Sequence, residues 1–447
     1  ASESGSMKSS RTLLETAERN IRLFIVFRTL FNARFYYPIF AIIFLDFGLT
    51  LSQFALLNTL WAVTIILAEV PSGALADLIG RKKLLQLTST LMVLEMGVWA
   101  FAPTENATLL IVCMALNRIL SGLAEAAASG ADEALVYDSL KAANIEHRWS
   151  DVLDHMTRWK SFGFVIAMIV GGVVYDESLW AQLSMRWDAI GELPSDVVMR
   201  LPIILTFFSA IACWEVCRRM TDVKVDAVAA SSAPWLASLQ QTRQVGRWIL
   251  STPFALSVIL LGAFADGTIR MFVTLSSEYY RLIAYPEFAL GIIGSAMGAL
   301  NMVCSPLVKR VVERTSPRQL WMVVGGIGCL AFLGVSFFIP LVGIVFMLLL
   351  NVAFSLISFS LSYYLNQEAV SSMRATVLSF KGLALNLNYG VMGVLYAGLL
   401  HYLREGGATD GSGDALFMAS SQWFGPFYAV GVLVMLVATS KGKRKHN

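Results

Sequence analysis

Apolar runs of about 20 residues, separated by short polar turns, recur along this chain from about Arg22 to Ser440. A helix needs about that length to cross the hydrocarbon of a bilayer. Twelve such runs are present, centred near Pro38, Ile65, Met92, Leu116, Ile166, Leu205, Phe264, Met297, Val324, Leu350, Leu387 and Val430. The pattern predicts an all-α membrane protein with twelve transmembrane helices. Near the middle, residues 218–251 are longer and more polar than the other connections and contain Ala229-Ala-Ser-Ser-Ala233. Six runs lie on either side, so two six-helix bundles are expected, at residues 23–217 and 252–440. Residues 1–22 and 441–447 are tails. Trp235, Leu236, Leu239, Trp248 and Ile249 lie among Gln and Arg in the linker. They suggest either an interfacial helix along the inner leaflet or a helix packed beneath the bundle.

Composition agrees, since 56% hydrophobic and 15% charged residues over 447 positions, with a mean hydropathy of +0.65, leave too little polar surface for a soluble globule. The net charge of +3 is therefore no sign of nucleic-acid binding. Cations orient the spans, because short loops rich in Lys and Arg stay cytoplasmic. With both termini inside, only Arg186, Arg200, Arg281 and Arg404 of the 34 cations face outside, and Arg28, Arg34, Arg118, Arg270 and Lys381 fall within spans. The rest lie on the inner side, including the adjacent Arg81, Lys82 and Lys83. Glu69, Glu95, Glu125 and Asp266 are also within spans. A charge facing lipid at mid-membrane costs about 3 kcal/mol on insertion scales, so most of these nine must pair or face a polar interior.

Ala1 to Ser6 precede Met7 and read as an expression remnant, and no cleavable signal is expected behind so charged a tail. Cys113, Cys213, Cys217, Cys304 and Cys329 lack metal-ligand spacing and read as small core residues. Asn106-Ala-Thr108 is a formal glycosylation sequon on an outside turn. Residues 176–198, long and acidic, and the Gly-rich 406–414 read as surface loops. His147, His155, His401 and His446 fall in loops or membrane margins, and no H-E-x-x-H, G-x-S-x-G or phosphate-cradling glycine loop appears. No enzymatic activity, metal or cofactor is expected.

The turn between spans two and three carries the most specific signal. Gly73, Asp77, Gly80, Arg81 and Lys82 match G-x-x-x-D-(R/K)-x-G-R-(R/K), with Leu78 in place of the usual cation. This motif and the six-plus-six arrangement resemble the major facilitator superfamily, in which the resemblance implies that these five residues latch the two halves in one state of the transport cycle. Arg118-Ile-Leu-Ser-Gly122 is similar to the R-x-x-Q-G pattern of proton-coupled members, with Ser121 replacing Gln. Ala167 to Gly172 keeps the terminal glycines of the G-P-x-x-G-G pattern of drug antiporters and lacks its Gly-Pro pair, so the antiporter mark is incomplete. Leu307 to Arg314 is a degenerate second copy of the turn, as expected of two related halves.

By that resemblance spans one, four, seven and ten line a substrate cavity, with two, five, eight and eleven beside them. Binding candidates are Arg28, Asn32 and Tyr36 on one face of span one, Arg34 and Tyr37 on another, Arg270, the stripe Asn351, Ser355 and Ser358, and Lys381 with Asn388. Glu69, followed at once by Val70-Pro71, leads the proton-coupling candidates, because a proline frees a backbone carbonyl and opens a kink that admits water. Glu125, Asp266 and Arg118 follow, with a structural Arg118 pair to Glu125 or Glu69 as the competing reading. If Arg118 pairs with Glu125 and Asp266 with Arg270, then Arg28, Arg34 and Lys381 leave a mildly cationic cavity. The expected function is secondary active transport of a small organic molecule by alternating access, as proton-coupled export by a monomer in a bacterial cytoplasmic membrane. Transport of an organic anion is an alternative, and a lipid transporter or non-transporting receptor another. The expected partners are a small-molecule substrate, protons and the lipid bilayer.

Overall fold

A computed structural model describes residues 2–129, 131–187, 191, 193–222, 234–369, 374–407 and 412–442. Lys224 and the Ala229–Ala233 stretch of the linker lie outside them, as do the side chains of Gly73, Asp77, Trp235, Leu236 and Leu239. The described residues hold helices and no strand: α1 (Ser2–Asn32), α2 (Phe40–Asp46), α3 (Leu51–Ile79), α4 (Arg81–Ala100), α5 (Ala107–Ala128), α6 (Ala131–Ala142), α7 (Trp149–Tyr175), α8 (Glu177–Arg186) and α9 (Ser195–Arg219), followed by α10 (Pro234–Ser251), α11 (Pro253–Thr274), α12 (Ser276–Leu282), α13 (Glu287–Arg314), α14 (Pro317–Val335), α15 (Ile344–Glu368), α16 (Arg374–Glu405) and α17 (Gly413–Gly442). This is the solution lipid imposes, because a helix satisfies its backbone groups within the segment.

Ten stretches among the described residues are long and apolar enough to cross a membrane: one each in α3, α7, α9, α11 and α13 to α17, and one running through α5 and α6. The segments expected as spans one and three fall short for physical reasons. Span one is not a continuous helix, since α1 ends at Asn32 and α2 begins only at Phe40. The three cations of α4 occupy its first turn and Glu95 interrupts the rest, so its apolar portion is short.

Local signals account for several helix ends. The Asn106 side chain accepts from Leu109 N at 3.0 Å, so this sequon residue is an N-cap. Asp176 likewise accepts from Ser178 N and Leu179 N, and starts a helix, α8, within what the sequence suggests is loop. Ser316 and Gln319 form a capping box at α14. In the linker, α10 buries Val245 and Ile249 in its last two turns.

The chain resolves into two compact units, residues 1–38 with 67–238, and residues 39–66 with 239–447. The first half of α3 and all of α2 therefore group with the second unit, although in sequence they belong to the N-terminal six spans. In the first unit α4 packs against α5 and α9, and α1 against α6, α7 and α9, around Phe24, Phe27, Leu85, Met92, Leu135 and Cys213. In the second, α11 is central and packs against α15, α16 and α17, α13 packs on α15, and α2 on α12. There Ser277 Oγ accepts from Ala41 N at 3.0 Å and Ile42 N at 3.2 Å, and Thr59 donates to Gly390 O at 3.0 Å.

Candidate functional site

Each unit carries its own cluster of polar side chains within the apolar helices. In the first unit the cluster grows from the break in span one. The chain leaves α1 at Asn32, and the freed backbone N of Phe35 donates to Thr206 Oγ1 on α9 at 3.1 Å. The break swings Arg34 inward, where it is 3% exposed. Its Nη1 donates to Glu95 Oε1 at 3.0 Å and to Tyr36 Oη at 3.0 Å, and its guanidinium lies 5.2 Å from the Phe31 ring centroid. Glu95 is fully buried, and Asn117 Nδ2 donates to its backbone carbonyl at 2.9 Å. Arg118 donates to Asn117 Oδ1 at 2.9 and 2.7 Å and lies over Trp99 at 5.7 Å, while Glu125 is exposed.

This arrangement redraws the faces of span one. A continuous helix would put Tyr36 with Arg28 and Asn32; the break puts it with Arg34 instead. Asn32 turns back to Arg28 O at 2.8 Å, and the half-exposed Tyr37 packs edge-on against Tyr36 at 5.2 Å. Arg28 reaches α6, where it pairs with Asp132 and, at 3.2 Å, with Glu133. Arg28 and Arg34, two of the three cations left over in the sequence reading, thus each have a carboxylate partner.

At the signature turn, Gly80 has φ +91, a conformation glycine adopts without strain. A Cβ there would lie 2.9 Å from Asp222 Oδ2. Asp222 Oδ1 accepts from Lys82 N at 3.0 Å. Arg81 donates to Ala134 O at 2.6 Å and pairs with Asp138, a partner on α6 that the sequence motif does not name. Glu69 is half-buried, and α3 continues through Pro71. Ser72 Oγ donates to Glu69 O at 2.8 Å and to Ala126 O at 2.9 Å, tying α3 to α5.

In the second unit Asp266, 2% exposed, pairs with Arg270 one turn later at 2.7 Å. Arg270 also reaches α16, donating to Asn386 Oδ1 at 3.3 Å and lying 5.6 Å from the Tyr389 ring centroid. Asn388 Nδ2 donates to Ala263 O at 2.6 Å. Lys381 Nζ donates to Ser362 Oγ at 2.8 Å, so these two α16 residues engage different neighbours, α11 and α15. Asn351 and Ser355 bond Asn301 of α13, and Ser358 is exposed. Sequence reading missed Asn117, Asn301 and Asn386; the only signal was a lone amide in the apolar run for the first two, and for Asn386 an amide two residues from Asn388. An apolar cavity of about 230 Å³ lies between α11, α16 and α17, lined in part by Met392, Trp423 and Phe427 and by no charged residue.

Among the described residues no group of His, Cys, Asp and Glu is placed to hold a metal. A family model described as Major Facilitator Superfamily matches residues 23–393. Among solved structures, the nucleoside transporter NupG is similar with a TM-score of 0.72 and 13% identity, over 95% of this chain and 99% of that one. A bacterial homologue of the human lysosomal transporter Spinster gives 0.63 and 15%, over 96% and 94%. A D-xylose-proton symporter gives 0.60 and 13%, over 96% and 97%. No curated protein sequence matches.

Proposed function

Because the chain belongs to the Major Facilitator Superfamily, and is a multi-pass membrane transporter rather than an enzyme, we propose that it moves a small organic solute by alternating access coupled to protons. The observation that carries the coupling is the Asp266–Arg270 pair. Asp266 is enclosed and its cationic partner is shared with Asn386 and Tyr389 of another helix. With Asp266 ionised, Arg270 is held along α11. Once Asp266 is protonated, the attraction is lost and Arg270 turns to α16 or to substrate. A proton on one side chain thereby becomes a change in helix–helix contact. One structural neighbour is a D-xylose-proton symporter, which supports the reading. Glu69, the leading candidate in the sequence, becomes the second. Export is the direction favoured by the antiporter resemblance, and a bacterial cytoplasmic membrane the proposed location.

Pairing within the units bears on the cargo. Arg28, Arg34 and Arg270 all have carboxylate partners, so the cationic excess that favoured an organic anion shrinks.

The test is flux in proteoliposomes with an imposed pH gradient and a pH-sensitive dye inside, over organic anions, cationic dyes, lipids, sugars and nucleosides. Wild type is expected to move protons with one solute class. Asp266→Asn should abolish gradient-driven flux and retain solute counterflow, while Asp266→Glu keeps both. Gradient-driven flux that survives Asp266→Asn overturns this assignment and passes the role to Glu69, tested by Glu69→Gln.

A further inference from the structure

Two amides meet within the membrane-spanning part of the second unit. Asn351 Nδ2 on α15 donates to Asn301 Oδ1 on α13 at 2.8 Å, and Asn301 Nδ2 donates back to Asn351 Oδ1 at 3.2 Å. Ser355 Oγ adds a bond to Asn301 Oδ1 at 2.9 Å. The reciprocal pair uses one N–H of each amide. The second N–H of each and a lone pair of Asn351 Oδ1 remain for another molecule. Asn301 is exposed, not buried.

The surroundings say what that molecule is. Along α15, Asn351, Ser355, Ser358 and Ser362 fall at i, i+4, i+7 and i+11, one stripe about 16 Å long at 1.5 Å per residue. On α13, Gly294, Gly298, Asn301 and Ser305 share one side by helical spacing, while the exposed Val303 and Leu307 share the other. The apolar side suits lipid. Amide N–H groups on the first side require water or a hydrogen-bonding ligand, because leaving them unpaired in hydrocarbon costs several kcal/mol. The lane is uncharged from Asn301 to Ser358 and meets a cation only where Lys381 bonds Ser362.

We propose that Asn301, Asn351 and Ser355 form a recognition site for an uncharged solute carrying several hydroxyl or amide groups, of the size of a sugar or nucleoside. Paired N–H donors beside a carbonyl acceptor read such groups, and the lane offers an anion no matching cation at that depth. This inference rests on the transport reading above and names its cargo class.

The experiment measures equilibrium binding to purified full-length protein, so that it is independent of coupling. Pentoses, hexoses and nucleosides form one arm, and organic anions and cationic dyes of similar size the other. An uncharged probe is expected to bind; which of sugar or nucleoside it is separates those two sources. Asn351→Leu should weaken its binding about tenfold or more, the loss of two neutral hydrogen bonds. Asn301→Leu should do the same and Asn301→Gln should restore part of it. Binding confined to the charged probes, or unchanged affinity in folded Asn301→Leu and Asn351→Leu proteins, overturns the proposal. Uncharged-solute binding that depends on Asn351, together with proton-independent flux, overturns the coupling reading and leaves this one standing.

Discussion

Gly171 shows how one absent methyl group sets a packing distance. A Cβ at this position would lie 1.8 Å from the carbonyl oxygen of Phe35, the residue at the break in span one, so α7 and the broken segment touch backbone to backbone. Gly171, the first of the two glycines that resemble an antiporter signature, thus has a packing reason of its own. On an exposed helix, Gly→Ala stabilises by up to about 1 kcal/mol. Here overpacking of about 1–3 kcal/mol reverses the sign. Gly171→Ala is expected to lower the melting temperature in detergent. A gain in stability would show that the backbone contact is not held. Arg34 and Glu95 make a related point. That a buried arginine needs a carboxylate is legible in the sequence, but which carboxylate is not, since Glu69, Glu95 and Glu125 were equally available. The break that turns Arg34 toward Glu95 left only Pro38 as its sequence trace.

Among the elements, α12 has a role out of proportion to its seven residues. Arg281 donates to both oxygens of Asp46 at the end of α2, at 2.9 and 2.7 Å, and stands 3.5 Å from Glu287. Glu278, 3% exposed, shares this crowd of acids. Burial raises its pKa from 4.5 to about 7 against the pull of Arg281, with Asp414 and Asp46 adding to the rise. The folded protein therefore holds a proton that the unfolded chain releases. Its contribution is complete below pH 4.5 and is lost as pH rises from there through about 7, by about 3 kcal/mol in all. Thermal unfolding at a series of pH values checks this. Stability of wild type relative to Glu278→Gln should fall from pH 5 to pH 8, and a constant difference would refute the shifted titration. The pairings of α13 with α15 show the limit of pattern reading at this scale. Helical spacing places Asn351 and Ser355 on one stripe, yet nothing in a sequence sets the register between helices 50 residues apart, so Asn301 stayed invisible until α13 was laid against α15.

At the scale of the whole molecule, the all-helical fold and its superfamily were legible because hydrocarbon enforces long apolar runs and because the glycine-rich basic turn is specific. The division into packed units was not, since contiguity in sequence suggested that residues 39–66 belong with their neighbours. They group with residues 239–447 instead. Residues 1–233 produced alone should therefore leave the faces of α2 and early α3 uncovered and be cleared by proteases. Co-production with residues 234–447 should restore a folded, detergent-stable complex. An N-terminal fragment that is stable by itself would contradict the grouping.

That same segment imposes a schedule on synthesis. Ala41 waits for Ser277, 236 residues further along the chain, and at about 5–20 residues per second the ribosome needs about ten to fifty seconds to deliver it. For that interval an apolar helical segment waits without its lasting neighbours, which makes it the part of the nascent protein on which a membrane chaperone has time to act.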